Sequence, residues 1–168
     1  NLGCPSKTVV TKGRGSGFLA FPEELDRFLD KIFSETETEI SVKTRIGKEQ
    51  PEEFEKILEI YNRYPMKELI VHPRVQQDFY KNHPNLEVFA EVMKNSKNPV
   101  CYNGDLFSYA DYKTFTEQFP DVDTVMIGRG LLMDPGLTRQ IKTGEKLRKE
   151  ELKAYHDKVY LGYKNVLS

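Results

Sequence analysis

A thiol stands at the fourth residue, in the turn Asn1-Leu2-Gly3-Cys4-Pro5, with glycines at 13, 15 and 17 behind it. A cysteine between Gly and Pro packs poorly into a core. Cys4 therefore reads as a free, reactive thiol on a loop rather than as the small buried hydrophobe a lone cysteine usually is. Four further polar clusters recur downstream: Lys43-Thr44-Arg45, His72-Pro73-Arg74, Asn103-Gly104-Asp105 and Gly128-Arg129-Gly130. The last two are glycine-bearing turns of the kind that let a backbone approach phosphate, and Arg129 can pair with it bidentately. The plainer reading, two ordinary strand-to-helix turns, leaves their repetition on successive strands without a cause.

These clusters sit where the periodicity changes. Leu25, Phe28, Leu29, Ile32 and Phe33 follow a helical spacing that starts near Pro22, and then the period becomes two. Thr38 to Ile46 sets Ile40, Val42 and Thr44 against Ser41, Lys43 and Arg45, which predicts a strand. Pro51 opens a second helix with Phe54, Ile57, Leu58 and Tyr61 on its stripe. Glu68 to Arg74 predicts a second strand, and Leu86, Phe89, Ala90 and Met93 mark a third helix. Pro99 to Asp105 and Asp123 to Arg129 predict the last two strands, separated by a helix with Tyr112, Phe115 and Phe119 that Ser108 and Asp111 cap reciprocally. Cys101 falls inside the third strand and is expected to pack within the fold.

Strand and helix in alternation imply a parallel sheet, and each polar cluster closes a strand at its carboxyl end, the face on which parallel α/β folds bind ligands. A doubly wound sheet satisfies the same alternation. Inward-facing Lys43 is hard to bury there without a partner, whereas a barrel mouth offers it a polar cofactor. The expected fold is thus a partial (β/α)8 TIM barrel, strands five to eight with their helices, in which Asn1 to Pro5 marks the end of strand four. Four strands leave two unpaired edges, and self-association through them is expected.

Composition bounds the class. With 168 residues, 38% hydrophobic and 30% charged, the chain can bury a core, and no apolar run approaches the roughly 20 residues of a membrane span. No membrane partner and a cytoplasmic location are expected. Two distant cysteines without a CxxC pair argue against both a disulfide framework and a zinc site. A net charge of −1 speaks against bulk electrostatic capture of nucleic acid, yet residues 137–168 hold eight Lys or Arg against four Asp or Glu, so the tail is +4 and residues 1–136 are −5. The expected organisation is a body over 1–136 and a basic helical tail over 137–168, with Leu152, Tyr155, Val159 and Val166 on a helix spanning 145–168.

The ordered set Asn1-Leu2-Gly3-Cys4-Pro5, Val42-Lys43-Thr44-Arg45-Ile46-Gly47, Val71-His72-Pro73-Arg74, Tyr102-Asn103-Gly104-Asp105 and Met126-Ile127-Gly128-Arg129-Gly130 resembles the tRNA-dihydrouridine synthases. Each motif is weak alone; five in the family's order are specific. The resemblance implies an FMN-dependent barrel that reduces the C5–C6 bond of uridine in tRNA, with NADPH as reductant and a helical domain after the barrel that helps to hold the RNA. It makes Cys4 the proton donor, and free thiols, titrating near 8.5, are mostly protonated at neutral pH. His72 is similar to the family's flavin-contacting histidine; Lys43, on a strand end facing the mouth, can stabilise the reduced flavin's charge. Asn103, Gly104, Asp105, Gly128 and Arg129 fit the phosphate site that barrels build after their last two strands, and Asn1, Arg45 and Arg74 are candidates for the uracil edge or nearby RNA phosphate. Lys12 and Arg14, on the glycine-flanked loop, are candidates for the RNA backbone, though a solvated loop explains them equally well.

Two other readings remain at this stage. An FMN oxidoreductase acting on a free pyrimidine such as dihydroorotate shares the Cys-Pro turn, but has no need of a basic tail. A half-barrel that only binds a phosphate-bearing ligand requires no thiol chemistry.

Overall fold

The computed structural model describes residues 1–167. The chain divides into two compact units, one formed by Asn1–Gly104 with Phe119–Met126 and one by Asp105–Gln118 with the residues from Ile127 onward.

The first unit is built on a parallel sheet of β1 (Ser41–Arg45), β2 (Glu68–His72), β3 (Val100–Tyr102) and β4 (Thr124–Val125), hydrogen-bonded in that order. Lys43 pairs with Ile70, Ile70 with Cys101 and Cys101 with Thr124, so one row of residues runs across the whole sheet. Each strand lies beside its sequence predecessor and the order never reverses. A doubly wound sheet has a switch point where it does, so the observed α/β fold is compatible with an arc of a (β/α) barrel instead. Ahead of β1, Leu2 forms a parallel bridge with Thr44, and its amide donates to the Lys43 carbonyl at 2.7 Å. Residues 1–3 thus run alongside β1 as the end of a neighbouring strand would.

Helices α1 (Lys7–Val10), α2 (Pro22–Glu35), α3 (Glu53–Tyr61) and α4 (Leu86–Asn95) belong to this unit. Pro22 sits in the first turn of α2, where its missing N–H costs nothing. Leu25 and Leu29 are buried as their spacing predicts, whereas Phe28 is exposed and meets Phe18 edge to face at 5.6 Å. In α3 all four expected positions, Phe54, Ile57, Leu58 and Tyr61, are buried. Asn85 caps α4 by accepting from the Val88 amide at 3.0 Å, and the buried face is Phe89 with Val92; Ala90 is exposed. The stripe is rotated because Phe89 packs against Tyr102 and Phe119, with centroids 4.9 and 5.2 Å away. Each buried Leu or Phe of this core contributes about 1.5–3 kcal/mol.

The last strand is shorter than its periodicity suggests. After the Met126 amide donates to the Tyr102 carbonyl at 2.8 Å the ladder ends, and helix starts at Arg129. Gly128, with φ −107° and ψ −88°, is outside strand geometry, so the predicted strand end at 126–129 is the entry to a helix.

The second unit holds α5 (Tyr109–Gln118), α6 (Arg129–Met133), α7 (Leu137–Thr143) and α8 (Lys149–Leu167). The reciprocal cap of α5 is present: the Ser108 amide donates to Asp111 Oδ2 at 2.8 Å and the Asp111 amide to Ser108 Oγ at 3.2 Å. The helix predicted from 145 begins at Lys149, and α7 precedes it in the tail. Gly144, at φ +79°, closes α7 in the left-handed conformation that glycine adopts freely, and Ser168, the last residue of that prediction, lies outside the described residues. Arg139 grips Glu151 with two N–H···O bonds of 2.9 and 3.0 Å, tying α7 to α8. Leu152, Tyr155, Val159 and Val166 are all exposed on α8. Among the described residues no helix is long and apolar enough to cross a membrane.

Candidate active site

Because the four strands are parallel and in register, their carboxyl ends share one edge of the sheet in the first unit. Lys43 and Arg45 close β1, His72 closes β2 with Arg74 two residues on, and Asn103 with Gly104 follows β3. The bridge of Leu2 to Thr44 delivers Gly3 and Cys4 to the same edge.

The turn that carries Cys4 is fixed on both sides of the thiol. Asn1 starts it, its side-chain oxygen accepting from the Gly3 amide at 3.0 Å. The Gly3 carbonyl accepts from Arg45 Nε at 3.2 Å. The Cys4 carbonyl accepts twice from Ser16, from its amide at 3.0 Å and its hydroxyl at 2.9 Å. Ser16 can reach it because Gly15 has no side chain: a Cβ there would lie 2.6 Å from the Cys4 carbonyl oxygen, and φ is +56°. Cys4 itself is half-buried, whereas Cys101, as expected for an interior strand residue, is buried, and burial pushes its thiol up to about 12. The run of glycines marks this loop in the sequence, but a serine between two of them carries no signal of its own.

Lys43 is half-buried, and burial followed by the neighbouring Arg45 guanidinium lowers its pKa. Its ammonium makes no hydrogen bond or ion pair among the described residues. His72 is buried, and its pKa is lowered to about 3, first by burial and then by the positive charges of Arg45, Lys43 and Arg74. Its tautomer follows from its partners. Arg74 Nη1, which can only donate, reaches His72 Nε2 at 3.3 Å, so the proton rests on Nδ1 and is donated to Asn103 Oδ1, also at 3.3 Å. Asn103 Nδ2 then donates to the Met126 carbonyl at 2.7 Å. The result is a one-directional chain of four groups at the strand ends, containing a neutral imidazole. Tyr80 stands edge-on to His72 at 6.3 Å, and its ring lies 5.7 Å from the Arg45 guanidinium.

Two arginines expected at the substrate are placed deep. Arg45 and Arg74 are 2% and 1% exposed, and both guanidinium groups donate to backbone carbonyls, Arg74 Nε to that of Asn82 and Arg45 to three discussed below. Gly104 follows Asn103, and a Cβ on it would meet the Tyr102 hydroxyl.

In the second unit, Asp105 and Arg129 form an ion pair, Oδ1 to Nη2 at 2.8 Å, and the Arg129 guanidinium lies over the Phe107 ring at 4.8 Å. Gly128 precedes Arg129 at the start of α6 with open space where a Cβ would stand. Among the described residues no cluster of His, Cys, Asp or Glu is suited to a metal ion. A groove of about 670 Å³ between α3 and α4, with Phe54, Leu58 and Val92 inside and glutamates at its rim, includes none of the residues at the strand ends.

The chain is similar to known proteins along most of its length. The chain is 33% identical over 143 residues to the tRNA-dihydrouridine(16) synthase of Aquipseudomonas alcaligenes, covering 84% of this chain and 45% of that protein. It is 31% identical over 153 residues to tRNA-dihydrouridine synthase B of Shewanella oneidensis, covering 88% and 47%, and 28% identical over 172 residues to a probable tRNA-dihydrouridine synthase of Rickettsia bellii, covering 99% and 52%. The chain spans about half the length of the curated relatives it matches. All of it, residues 1–168, matches the family described as Dihydrouridine synthase (Dus), and the chain belongs to that family.

Proposed function

We propose that this chain forms strands five to eight of the FMN-binding barrel of a tRNA-dihydrouridine synthase, which reduces the C5–C6 bond of a uridine in tRNA with NADPH as reductant. In this reading residues 1–136 belong to the barrel and 137–168 begin the helical region that follows it. The observation that carries the proposal is the half-buried Cys4 thiol, fixed at the same sheet edge as the Lys43 ammonium.

The residues at that edge fit a flavin. An ammonium, half-buried and meeting no carboxylate among the described residues, suits a ring system that becomes anionic on reduction, and the neutral His72 beside it adds no second full charge. Lys43 and His72 would hold the ring; the assignment of its phosphate to Asn103, Gly104, Asp105, Gly128 and Arg129 rests on the sequence motifs. When bound, the flavin supplies the hydride to C6 of the uracil. Cys4 Sγ gives the proton to C5. Ser16 and Arg45, by holding the carbonyls on either side, keep the thiol from turning away. A base inside folded tRNA must leave its stack to reach this edge, so the substrate is read as an extruded uridine. Asn1, Arg45 and Arg74 remain the proposed substrate-side residues, the two arginines through the loops they brace. The basic tail favours tRNA over a free pyrimidine as substrate.

The test is Cys4→Ala in the full-length protein. Flavin content and its reduction by NADPH are expected to persist, while dihydrouridine formed in unmodified tRNA, read by mass spectrometry of nucleosides, falls by about 10²–10⁴-fold. Undiminished product formation by Cys4→Ala would remove the proposal.

A further inference from the structure

Arg45 spends its guanidinium on two separate loops. Nε donates to the Gly3 carbonyl at 3.2 Å, Nη1 to the Val75 carbonyl at 2.7 Å and Nη2 to the Phe79 carbonyl at 2.6 Å. Gly3 is the residue before Cys4; Val75 and Phe79 bracket the short turn after β2. A buried cation satisfied by neutral acceptors is a costly way to fill space that an aliphatic side chain would fill for less. Its five fixed donors are, however, the one side-chain geometry that can hold three divergent carbonyls at once.

The far loop is held under strain. Phe79 has φ +50°, the one non-glycine residue with positive φ among those described, and its carbonyl is gripped by Arg45 Nη2. The turn is closed locally by Asp78, whose Oδ2 accepts from the Val75 amide at 2.9 Å. Phe79 and Tyr80 leave it 46% and 56% exposed.

We infer that Arg45 is a positioning residue that couples the turn carrying Cys4 to the 75–79 turn, so that loosening the second releases the thiol in the first. The inference rests on the proposed function only for what the thiol does there; the coupling concerns the loops themselves.

Alkylation of Cys4 by iodoacetamide, followed by peptide mass spectrometry in the full-length protein, reads the coupling without reference to turnover. Cys101, 1% exposed, serves in the same digest as the reporter of global unfolding. Asp78→Ala, which touches neither Cys4 nor its turn, is expected to raise the Cys4 rate about tenfold with Cys101 silent. Arg45→Lys keeps the charge and loses the fork, and is expected to raise the Cys4 rate by itself. The double variant is expected to react no faster than Arg45→Lys alone, the non-additivity that marks residues acting along one path. An equal increase from Asp78→Ala in both backgrounds overturns the coupling.

Where Arg45→Lys exposes Cys101 as well, the decision passes to Asp78→Ala and Phe79→Gly, both with Arg45 intact. Glycine accepts φ +50° without penalty, so Phe79→Gly folds while slackening the turn. A raised Cys4 rate in these variants upholds the coupling, and an unchanged rate in both overturns it. A protein that shows the coupling but forms no dihydrouridine removes the proposed function and leaves the coupling standing; uncoupled rates in a protein that forms dihydrouridine do the reverse.

Discussion

Ser16 donates both its amide and its hydroxyl to the carbonyl of Cys4, at 3.0 and 2.9 Å, so a fully buried serine on the glycine-rich loop fixes the backbone of the thiol twelve residues before it. The loop after the Cys-Pro turn thereby becomes part of the site.

Ser16→Ala keeps the amide bond and loses the hydroxyl. One buried hydrogen bond is worth about 1 kcal/mol, so unfolding stability in urea is expected to fall by about that much, with dihydrouridine formation reduced several-fold and flavin content unchanged. Loss of flavin in parallel with activity would assign Ser16 to the cofactor side instead.

Gly15→Ala is expected to be worse. The added Cβ would press on the Cys4 carbonyl oxygen and on the Cys4 and Val9 side chains, at a φ that alanine rarely adopts. About 1–3 kcal/mol of strain is expected, relieved by moving the thiol, so kcat falls more than stability does. The comparison is made by steady-state kinetics and chemical denaturation on the same preparation.

His72 provides a pH test with a defined sign. Folded, it stays neutral to about pH 3; unfolded, it takes up a proton near 6.5. The unfolded state binds more protons between these values, so this residue's contribution is present above pH 6.5 and is lost as pH falls toward 3. His72→Gln is expected to flatten the pH dependence of stability across that window, measured by urea unfolding at successive pH values. Nitrogen NMR of His72 is expected to report the Nδ1–H tautomer throughout neutral pH.

Lys43→Met separates stability from function. Removing a half-buried ammonium next to Arg45 relieves desolvation and like-charge repulsion, and is expected to raise stability by about 1 kcal/mol, a few degrees in Tm. Flavin retention through purification and turnover are both expected to drop. A stable variant that keeps its flavin would refute the role given to Lys43.

Tyr61→Phe is the control behind β1. The Tyr61 hydroxyl donates to Thr44 Oγ1 at 3.0 Å, which in turn donates to the Arg45 carbonyl at 2.8 Å. Stability is expected to fall by about 1 kcal/mol with product formation per folded molecule unchanged, since Thr44 Oγ1 loses one donor while Lys43, Arg45 and Cys4 keep every bond they make.

Much of this molecule was already legible in its residue order. Period-two and period-3.6 patterns placed β1, β2, α2, α3 and the capped start of α5, because those signals depend on neighbours a few residues away and the core rewards them directly. The polar residues closing β1, β2 and β3 could be placed on one edge, since parallel strands must share it. Where long-range packing overrode local pattern the expectation slipped: Phe89 rotated the buried face of α4 toward Tyr102 and Phe119, and the fourth strand gave way to helix after Met126.

Tertiary structure alone decided which groups the site residues hold. Arg45 and Arg74 look in sequence like side chains free to meet a substrate, yet both are buried on carbonyls from loops up to 42 residues away. Ser16 carries no signal of its own in sequence, and the tautomer of His72 depends on two partners from different segments. Residue type sets what a group can donate or accept. Only the folded backbone, by bringing distant carbonyls within about 3 Å, sets which of those bonds is made.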